Sequence, residues 1–305
     1  MKILVTGAAG HVGRLALPGL SGRHELRLAD IKIPRALPAN ARFEHIDLLQ
    51  APDAELATLF QDVEIVVHSA YIPSGEVDVY SATPPQIDRF EAEFANVRVA
   101  QRVYRAALEA GVRRVVMVSS NHAADWYEHK QVHDRQREMI YPTDLPLADN
   151  FYGWSKASYE LLGYPYACGT FTRALEVVLL RIGSPYPIDA SRYAPGATPV
   201  ASSLARQAGV AGFKRALGAW LSERDCAALV RCAVEVPRIV PSGQVPWVIA
   251  YGISDNTRAF WSLESARRQL GYQPQDDSEV AYAADVQRLL LSAGSAAAGR
   301  LGAGY

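Results

Sequence analysis

The sequence predicts an α/β protein: a parallel sheet wound by helices on both faces, with a smaller C-terminal lobe. Three observations predict it. Short β-rich runs alternate with helix-period segments through the first 183 residues, the pattern of βαβ units joined by right-handed crossovers. A glycine triplet in "VTGAAGHVG" (5–13) separates the first such run from the first helical segment. The 305 residues, 49% hydrophobic and 21% charged, are enough to bury a core of that size.

The elements follow in order. "KILVT" (2–6) reads as a buried strand, and "VGRLALPGL" (12–20) as the helix after the glycine turn. "HELRLAD" (24–30) and "ARFEHID" (41–47) are the second and third strands. A helix near 53–60 leads to the fourth, "VEIVVHSA" (63–70). A long helix over 89–111 stops at Gly111, a favourable C-terminal residue. "RRVVMVSS" (113–120) is the fifth strand, "FYGWSKASYE" opens a helix reaching about 168, and "EVVLLRIG" (176–183) is the sixth strand. Beyond Gly183 the texture changes. Residues 184–213 are rich in Pro, Ala, Gly and Ser and read as a long loop. A helix at 223–236, a strand at 245–252 and a short helix at 263–272 follow. The expected division is a nucleotide-binding domain at 1–183, a substrate-binding subdomain at 184–292 and a low-complexity tail at 293–305.

Composition excludes several function classes. With 31 basic and 32 acidic residues the net charge is −1, so nothing draws the chain to nucleic acid or an anionic membrane. Cys168, Cys226 and Cys232 lack metal-ligand spacing, and so sparse a set suits a reducing cytoplasm. No metal cluster is expected. The opening "MKILVTG" is too short an apolar run for a signal peptide, and no run reaches membrane-spanning length. A cytoplasmic protein is expected.

The glycine pattern carries the first functional reading. Gly7, Gly10 and Gly13 form G-x-x-G-x-x-G between strand and helix. Glycine lets the backbone turn tightly and approach a pyrophosphate, which meets the amides and positive dipole end of the helix. In this context the triplet predicts a Rossmann-type dinucleotide site. Asp30 ends the second strand, where a carboxylate accepts from the adenosine ribose hydroxyls and opposes a 2′-phosphate. NAD is therefore expected over NADP, although Arg35 leaves room for the latter. Asp47 stands either beside the adenine or as an ordinary helix cap.

Tyr152 and Lys156 lie at i and i+4, about 6 Å apart along one helical face. Alone, such a pair is more often an exposed surface contact. In order, however, G-x-x-G-x-x-G, "VMVSSNH" and Y-x-x-x-K resemble the short-chain dehydrogenase/reductase superfamily, in its extended branch, over nearly the whole chain. The resemblance implies Tyr152 as general base and Lys156 as the residue that binds the nicotinamide ribose and tunes Tyr152. Ser120 would be their hydroxyl partner. A free tyrosine has a pKa of about 10, so the ammonium and the oxidised nicotinamide would have to favour the phenolate. Asn96 would support the neighbouring strand and a water near Lys156. The implied cofactor contacts are Gly7, Ala9, Gly10, His11, Val12, Gly13, Asp30, Asp47, Leu48, Ser69, Asn96, Lys156 and Ile182.

Several strings look closer still to the uronate dehydrogenases, NAD enzymes that oxidise C1 of a sugar acid to a lactone. They are "SSNH" (119–122), "YGWSK" (152–156), "LRIGS" (180–184) and "KRALGAWLSERD" (214–225). This resemblance implies that Arg215 pairs with the substrate carboxylate, as its planar fork allows. It also implies that Asn121, His122 and Ser184 contact sugar hydroxyls or the nicotinamide region. His68 reads as core or cofactor wall, and Trp220, Trp247 and Trp261 as core. Two stretches depart from the family, 71–88 (with Pro73 in place of a hydroxyl) and 185–213, both at the mouth of the site. Since such loops set substrate choice, the chemistry is more firmly implied than the sugar. "ADWYEHKQVHDRQREMIYP" (124–142) adds aromatic and basic groups there, and Arg192 is a second candidate anion binder. A larger anionic sugar, such as a sulfonated sugar or a glycoside, would fit.

The expected activity is NAD-dependent oxidation of the anomeric hydroxyl of an acidic, uronate-like sugar, and the resemblance to the extended branch also implies a homodimer pairing through its long helices. Two rivals stand beside it. A nucleotide-sugar epimerase or dehydratase would retain NAD and regenerate it, though "SSNH" replaces the Thr-Asp-Glu run of dehydratases. A silent NAD-sensing regulator would tend to lose the tyrosine and lysine, which are intact here.

Overall fold

The computed structural model describes residues 1–73, 89–194, 209–239 and 245–291. Seven strands, β1 (Lys2–Thr6), β2 (Glu25–Asp30), β3 (Ala41–His45), β4 (Ile65–His68), β5 (Arg114–Ser120), β6 (Glu176–Ile182) and β7 (Trp247–Gly252), form one sheet. Its order is β3-β2-β1-β4-β5-β6-β7, with every pair parallel. All seven expected strands are present, with β3 and β4 ending two residues earlier than the sequence reading.

The helices are α1 (His11–Leu20), α2 (Asp53–Phe60), α3 (Phe90–Glu109), α4 (Asp125–Tyr127), α5 (Phe151–Ala167), α6 (Gly209–Ala219), α7 (Glu223–Glu235), α8 (Glu264–Leu270), α9 (Ser278–Ala281) and α10 (Ala283–Leu290). Among the described residues, none is long and apolar enough to cross a membrane. Strands β4, β5 and β6 are almost wholly buried, because helices cover both faces of a parallel sheet. The edge strand β3 keeps charged Arg42 and Glu44 outward. Ile3, Val5, Val67 and Val178 face one core with α1 and α7, whereas Leu4, Val66, Val115 and Leu179 face the other with α2, α3 and α5. Each such side chain contributes about 1.5–3 kcal/mol through burial.

Residues 184–213 are expected from sequence to be loop, but α6 begins at Gly209 and a short helical turn spans Ala190–Tyr193. Tertiary packing overrides the weak local propensity. Phe213 and Leu217, one turn apart on α6, bury against Ala190 and against Val286 and Leu289 of α10. The rest of the two departing stretches, 74–88 and 195–208, and the tail 293–305 lie outside the described residues.

Order reversal places the site. The chain runs outward from β1 to β3, then returns to β4 on the other side of β1. A crevice therefore opens beyond the C-terminal ends of β1 and β4, the usual ligand position in open α/β sheets. Here it is a cavity of about 1040 Å³.

Candidate active site

One end of the cavity is the glycine turn. Gly7 has φ +73°, and a Cβ there would stand 2.3 Å from the Ala70 nitrogen. Only glycine therefore lets β1 turn against the chain leaving β4. Gly10 precedes α1 with no side-chain cap, leaving the first-turn amides to a ligand. Asp30 braces the turn: Ala9 N donates to its Oδ2 (2.9 Å) and Lys32 N to its Oδ1 (3.0 Å). Each carboxylate oxygen retains acceptor capacity toward a ribose hydroxyl. Asp47 lines the cavity but also caps its own turn, accepting from Leu49 N (2.8 Å) and Gln50 N (3.3 Å). Leu48 and Ile46 supply an apolar wall beside it. The donor set fits an adenine dinucleotide: amides for pyrophosphate, a carboxylate for ribose and aliphatic groups for the base.

Of the remaining expected cofactor residues, all but one line the cavity. Ala9, His11, Val12, Ser69, Asn96, Lys156 and Ile182 line the cavity, whereas Gly13 lies beneath it. A Cβ on Gly13 would meet Gly7 O at 2.2 Å, so its role is the close fit of helix to turn. Asn96 fastens the chain beyond β4 at Ile72, accepting from its N (2.8 Å) and donating to its O (2.9 Å). His11 bonds Pro185 O through Nε2 (2.6 Å) and stacks on Tyr186 at 4.0 Å. That contact draws the segment after β6 over the glycine turn, and nothing local in the sequence announces it.

At the other end stand Tyr152, Lys156 and Ser120. Asn150 caps α5, its Oδ1 accepting from Gly153 N (2.8 Å), and Tyr152 falls in the first turn. Gly153 brings the helix against the turn after β5, since a Cβ there would lie 2.2 Å from His122 O. Glu160, eight residues after Tyr152 on the same face, anchors α5 to the sheet. It takes Arg181 Nε (2.8 Å) and Nη2 (2.7 Å) and the Ser119 hydroxyl (2.7 Å), all buried. Lys156 Nζ lies 4.8 Å from the Tyr71 ring centre and 4.7 Å from that of Tyr159.

Burial pushes the Tyr152 hydroxyl up to about 12; the Ser120 hydrogen bond opposes this, and the charges of Glu93 and Asp125 add to it. Burial likewise lowers Lys156 to about 8 against the upward pull of Glu93. Burial is the largest influence on both groups. Glu93 belongs to no motif in the sequence. It is fully buried on α3 and accepts from Tyr71 Oη (2.5 Å) and Ser155 Oγ (2.6 Å). A carboxylate among the apolar positions of that helix was its only signal.

The expected substrate residues also converge. Asn121, His122, Ser184 and Arg215 all line the cavity, and Arg192 stands exposed at its edge. Ser184 is held between α6 and α7: its N donates to Ala219 O (2.7 Å) and its O accepts from Leu221 N (3.0 Å). His122 Nδ1 meets Asp125 Oδ2 at 2.8 Å, and the same oxygen accepts from Asn150 Nδ2 (2.9 Å). His68 binds Thr6 Oγ1 through Nδ1 (2.7 Å), and burial with nearby Lys156 lowers it to about 3. It is a neutral core group and does not line the cavity. Trp261 is buried and Trp220 nearly so, while Trp247 is half-buried.

Arg215 differs from its expected state. Its guanidinium fork is closed on Glu128, with Nε to Oε1 at 2.8 Å and Nη2 to Oε2 at 3.2 Å. Asn121, its amide oriented to suit both neighbours, accepts from Arg215 Nη2 (3.0 Å) and donates to Ile182 O (3.1 Å). His133 Nε2 lies 3.3 Å from Glu128 Oε1. Burial favours the neutral Glu128 carboxyl, but Arg215 and His133 outweigh it and hold the group well below the usual range. No sequence signal marks this pair, because 87 residues separate its members. The end of "KRALGAWLSERD" is structural: Ser222 caps α7 by accepting from Asp225 N (3.0 Å), and Asp225 takes the amides of Gln275 and Asp276.

Comparison with known proteins places this geometry. Residues 3–249 match the NAD dependent epimerase/dehydratase family. The NAD-dependent glucose-6-phosphate dehydrogenase of Haloferax volcanii is 30% identical over 287 residues, covering 90% of this chain and 94% of that protein. The L-arabinose 1-dehydrogenase (NAD(P)(+)) of the same organism is 30% identical over 285 residues, covering 91% and 97%. Among solved structures, a mutated uronate dehydrogenase is similar with a TM-score of 0.67 at 28% identity, covering 94% of this chain and 86% of that one. The chain belongs to the NAD dependent epimerase/dehydratase family, extended short-chain dehydrogenases/reductases whose cofactor is NAD.

Proposed function

We propose that the protein oxidises the anomeric C1 hydroxyl of a sugar to the lactone. One observation supports this most strongly: Tyr152, Ser120 and Lys156 line the same cavity as the glycine turn and Asp30. NAD, when bound, supplies the hydride acceptor and a positive charge that favours the Tyr152 phenolate. Tyr152 Oη takes the proton of the C1 hydroxyl as its oxygen becomes the lactone carbonyl. Ser120 Oγ hydrogen-bonds the same oxygen, and the Lys156 ammonium stabilises the phenolate. Asn121, His122 and Ser184 orient the sugar, which converts binding energy into alignment of the reacting bond.

The acidic, uronate-like form of this reading depends on Arg215 offering its fork to the substrate. Glu128 already occupies that fork, so the better supported form is the wider one, an aldose oxidised at C1. Relatives named for glucose 6-phosphate and L-arabinose agree with that breadth. The test incubates purified protein with NAD and aldoses while following absorbance of the reduced cofactor. A lactone product with stoichiometric reduced cofactor is expected, and Tyr152→Phe should abolish turnover while leaving NAD affinity nearly unchanged. Sugar conversion without net cofactor reduction would instead favour the epimerase reading.

A further inference from the structure

We infer that Glu128 is a specificity-determining residue: by holding the fork of Arg215 it excludes a carboxylate from the far end of the substrate site and selects a neutral aldose there. This rests on the C1-dehydrogenase reading. Arg215 lines the cavity and is 9% exposed, whereas Glu128 is 1% exposed and stands behind it. Glu128 therefore acts through Arg215 and is a positioning residue.

A guanidinium recognises a carboxylate best through two parallel N–H groups on one edge. Here the Nε and Nη2 edge is spent on Glu128, and Nη2 also donates to Asn121. Trp261 packs against the same guanidinium, its ring centre 5.5 Å from the guanidinium carbon. An arriving carboxylate would meet a cation already matched by a buried anion. It would have to displace Glu128, stranding that charge in the protein, or lie beside it and be repelled. A hydroxymethyl or ring hydroxyl meets no such penalty, because it carries no charge and both accepts and donates. Asn121, His122 and Ser184 complete a surface of hydrogen-bonding groups suited to hydroxyls. Since His133 also contacts Glu128 Oε1, the carboxylate is held from two sides.

The experiment compares matched pairs, glucose with glucuronate and galactose with galacturonate, in the wild type and Glu128→Gln. The wild type should favour the neutral member of each pair by about tenfold or more in kcat/KM. Glu128→Gln, which keeps an acceptor toward Arg215 but removes the charge, should shift the ratio at least about tenfold toward the uronate. A general loss of packing would lower both members and leave their ratio unmoved. Wild-type preference for the uronates, or no preference, overturns the inference even if the variant does not fold. So does an unshifted ratio in a folded variant. If neither sugar reduces the cofactor, the dehydrogenase reading fails separately, and calorimetric binding to the NAD-loaded Tyr152→Phe protein decides. Tighter hexose than uronate binding then supports the inference; tighter uronate, equal or absent binding overturns it.

Discussion

Asp125 Oδ2 lies 2.8 Å from His122 Nδ1, both groups buried, and the His122 ring centre is 5.8 Å from that of Tyr152. The carboxylate fixes a proton on Nδ1 and so sets the tautomer and orientation of the ring. An asparagine can turn its amide nitrogen toward Nδ1 and reverse that tautomer. Asp125→Asn should therefore lower kcat/KM about ten- to a hundredfold, the worth of one charge-assisted hydrogen bond. NAD affinity should change little, because Asp125 does not line the cavity. An unchanged kcat/KM in the folded variant would show that His122 needs no such orientation.

Glu93 should influence the pH dependence of catalysis from behind the site. Its charge raises both Tyr152 and Lys156. Glu93→Gln removes that charge and keeps an acceptor for Tyr71 or Ser155. With less negative potential the phenolate forms more readily, so the rising limb of the kcat/KM profile should move to lower pH. The Lys156 limb should move in the same direction. A profile that stays put, or moves to higher pH, would contradict the assignment of Tyr152 as base.

The parts of this protein legible in its sequence are those made by near neighbours. The glycine turn, Asp30, and the Tyr152–Lys156 spacing each depend on a few consecutive residues in one βα unit. Strands β4 to β6 show as apolar runs because both their faces are covered. The unread parts are made by distant residues. Glu93 meets Ser155 62 positions away, and Glu128 meets Arg215 across 87. In the string at 124–142 Glu128 looks like one more solvent-facing charge, and only the fold brings a guanidinium to it. Helix α6 was hidden similarly, since Gly209, Gly212 and Gly218 weaken its propensity and Phe213 and Leu217 find their partners on α10 only in the folded chain.

His68 should make the protein acid-sensitive. Its folded pKa is about 3 against an ordinary 6.5, lowered by burial and by Lys156. Between these values the unfolded chain binds the extra proton, so stability rises with pH across the window and is lost as pH falls from 6.5 toward 3. At pH 4.5 the cost is about 3 kcal/mol. His68→Gln, whose amide can still bond Thr6, should lose about that much less than the wild type between pH 7 and 4.5 in urea unfolding. Equal losses would mean that His68 is protonated without penalty.

Gly153 links stability to catalysis. It stands between Tyr152 and Lys156, and a Cβ there would meet His122 O at 2.2 Å and the Ala148 side chain at 2.6 Å. The nearer obstacle is backbone, so α5 or the turn carrying Asn121 and His122 must move. Overpacking of this kind costs about 1–3 kcal/mol. Because Tyr152 is in the first turn of α5, the displacement also separates its hydroxyl from Ser120. Gly153→Ala should therefore lower kcat by about a hundredfold, as misplacement of a reacting group by about 1 Å does, while NAD still binds at the glycine turn. Gly111→Ala serves as the control: φ is +79° there with open space around a Cβ, so it should cost about 1 kcal/mol and spare kcat. Equal kcat in the two variants would mean that α5 and the turn after β5 are not held in catalytic register by their contact at Gly153.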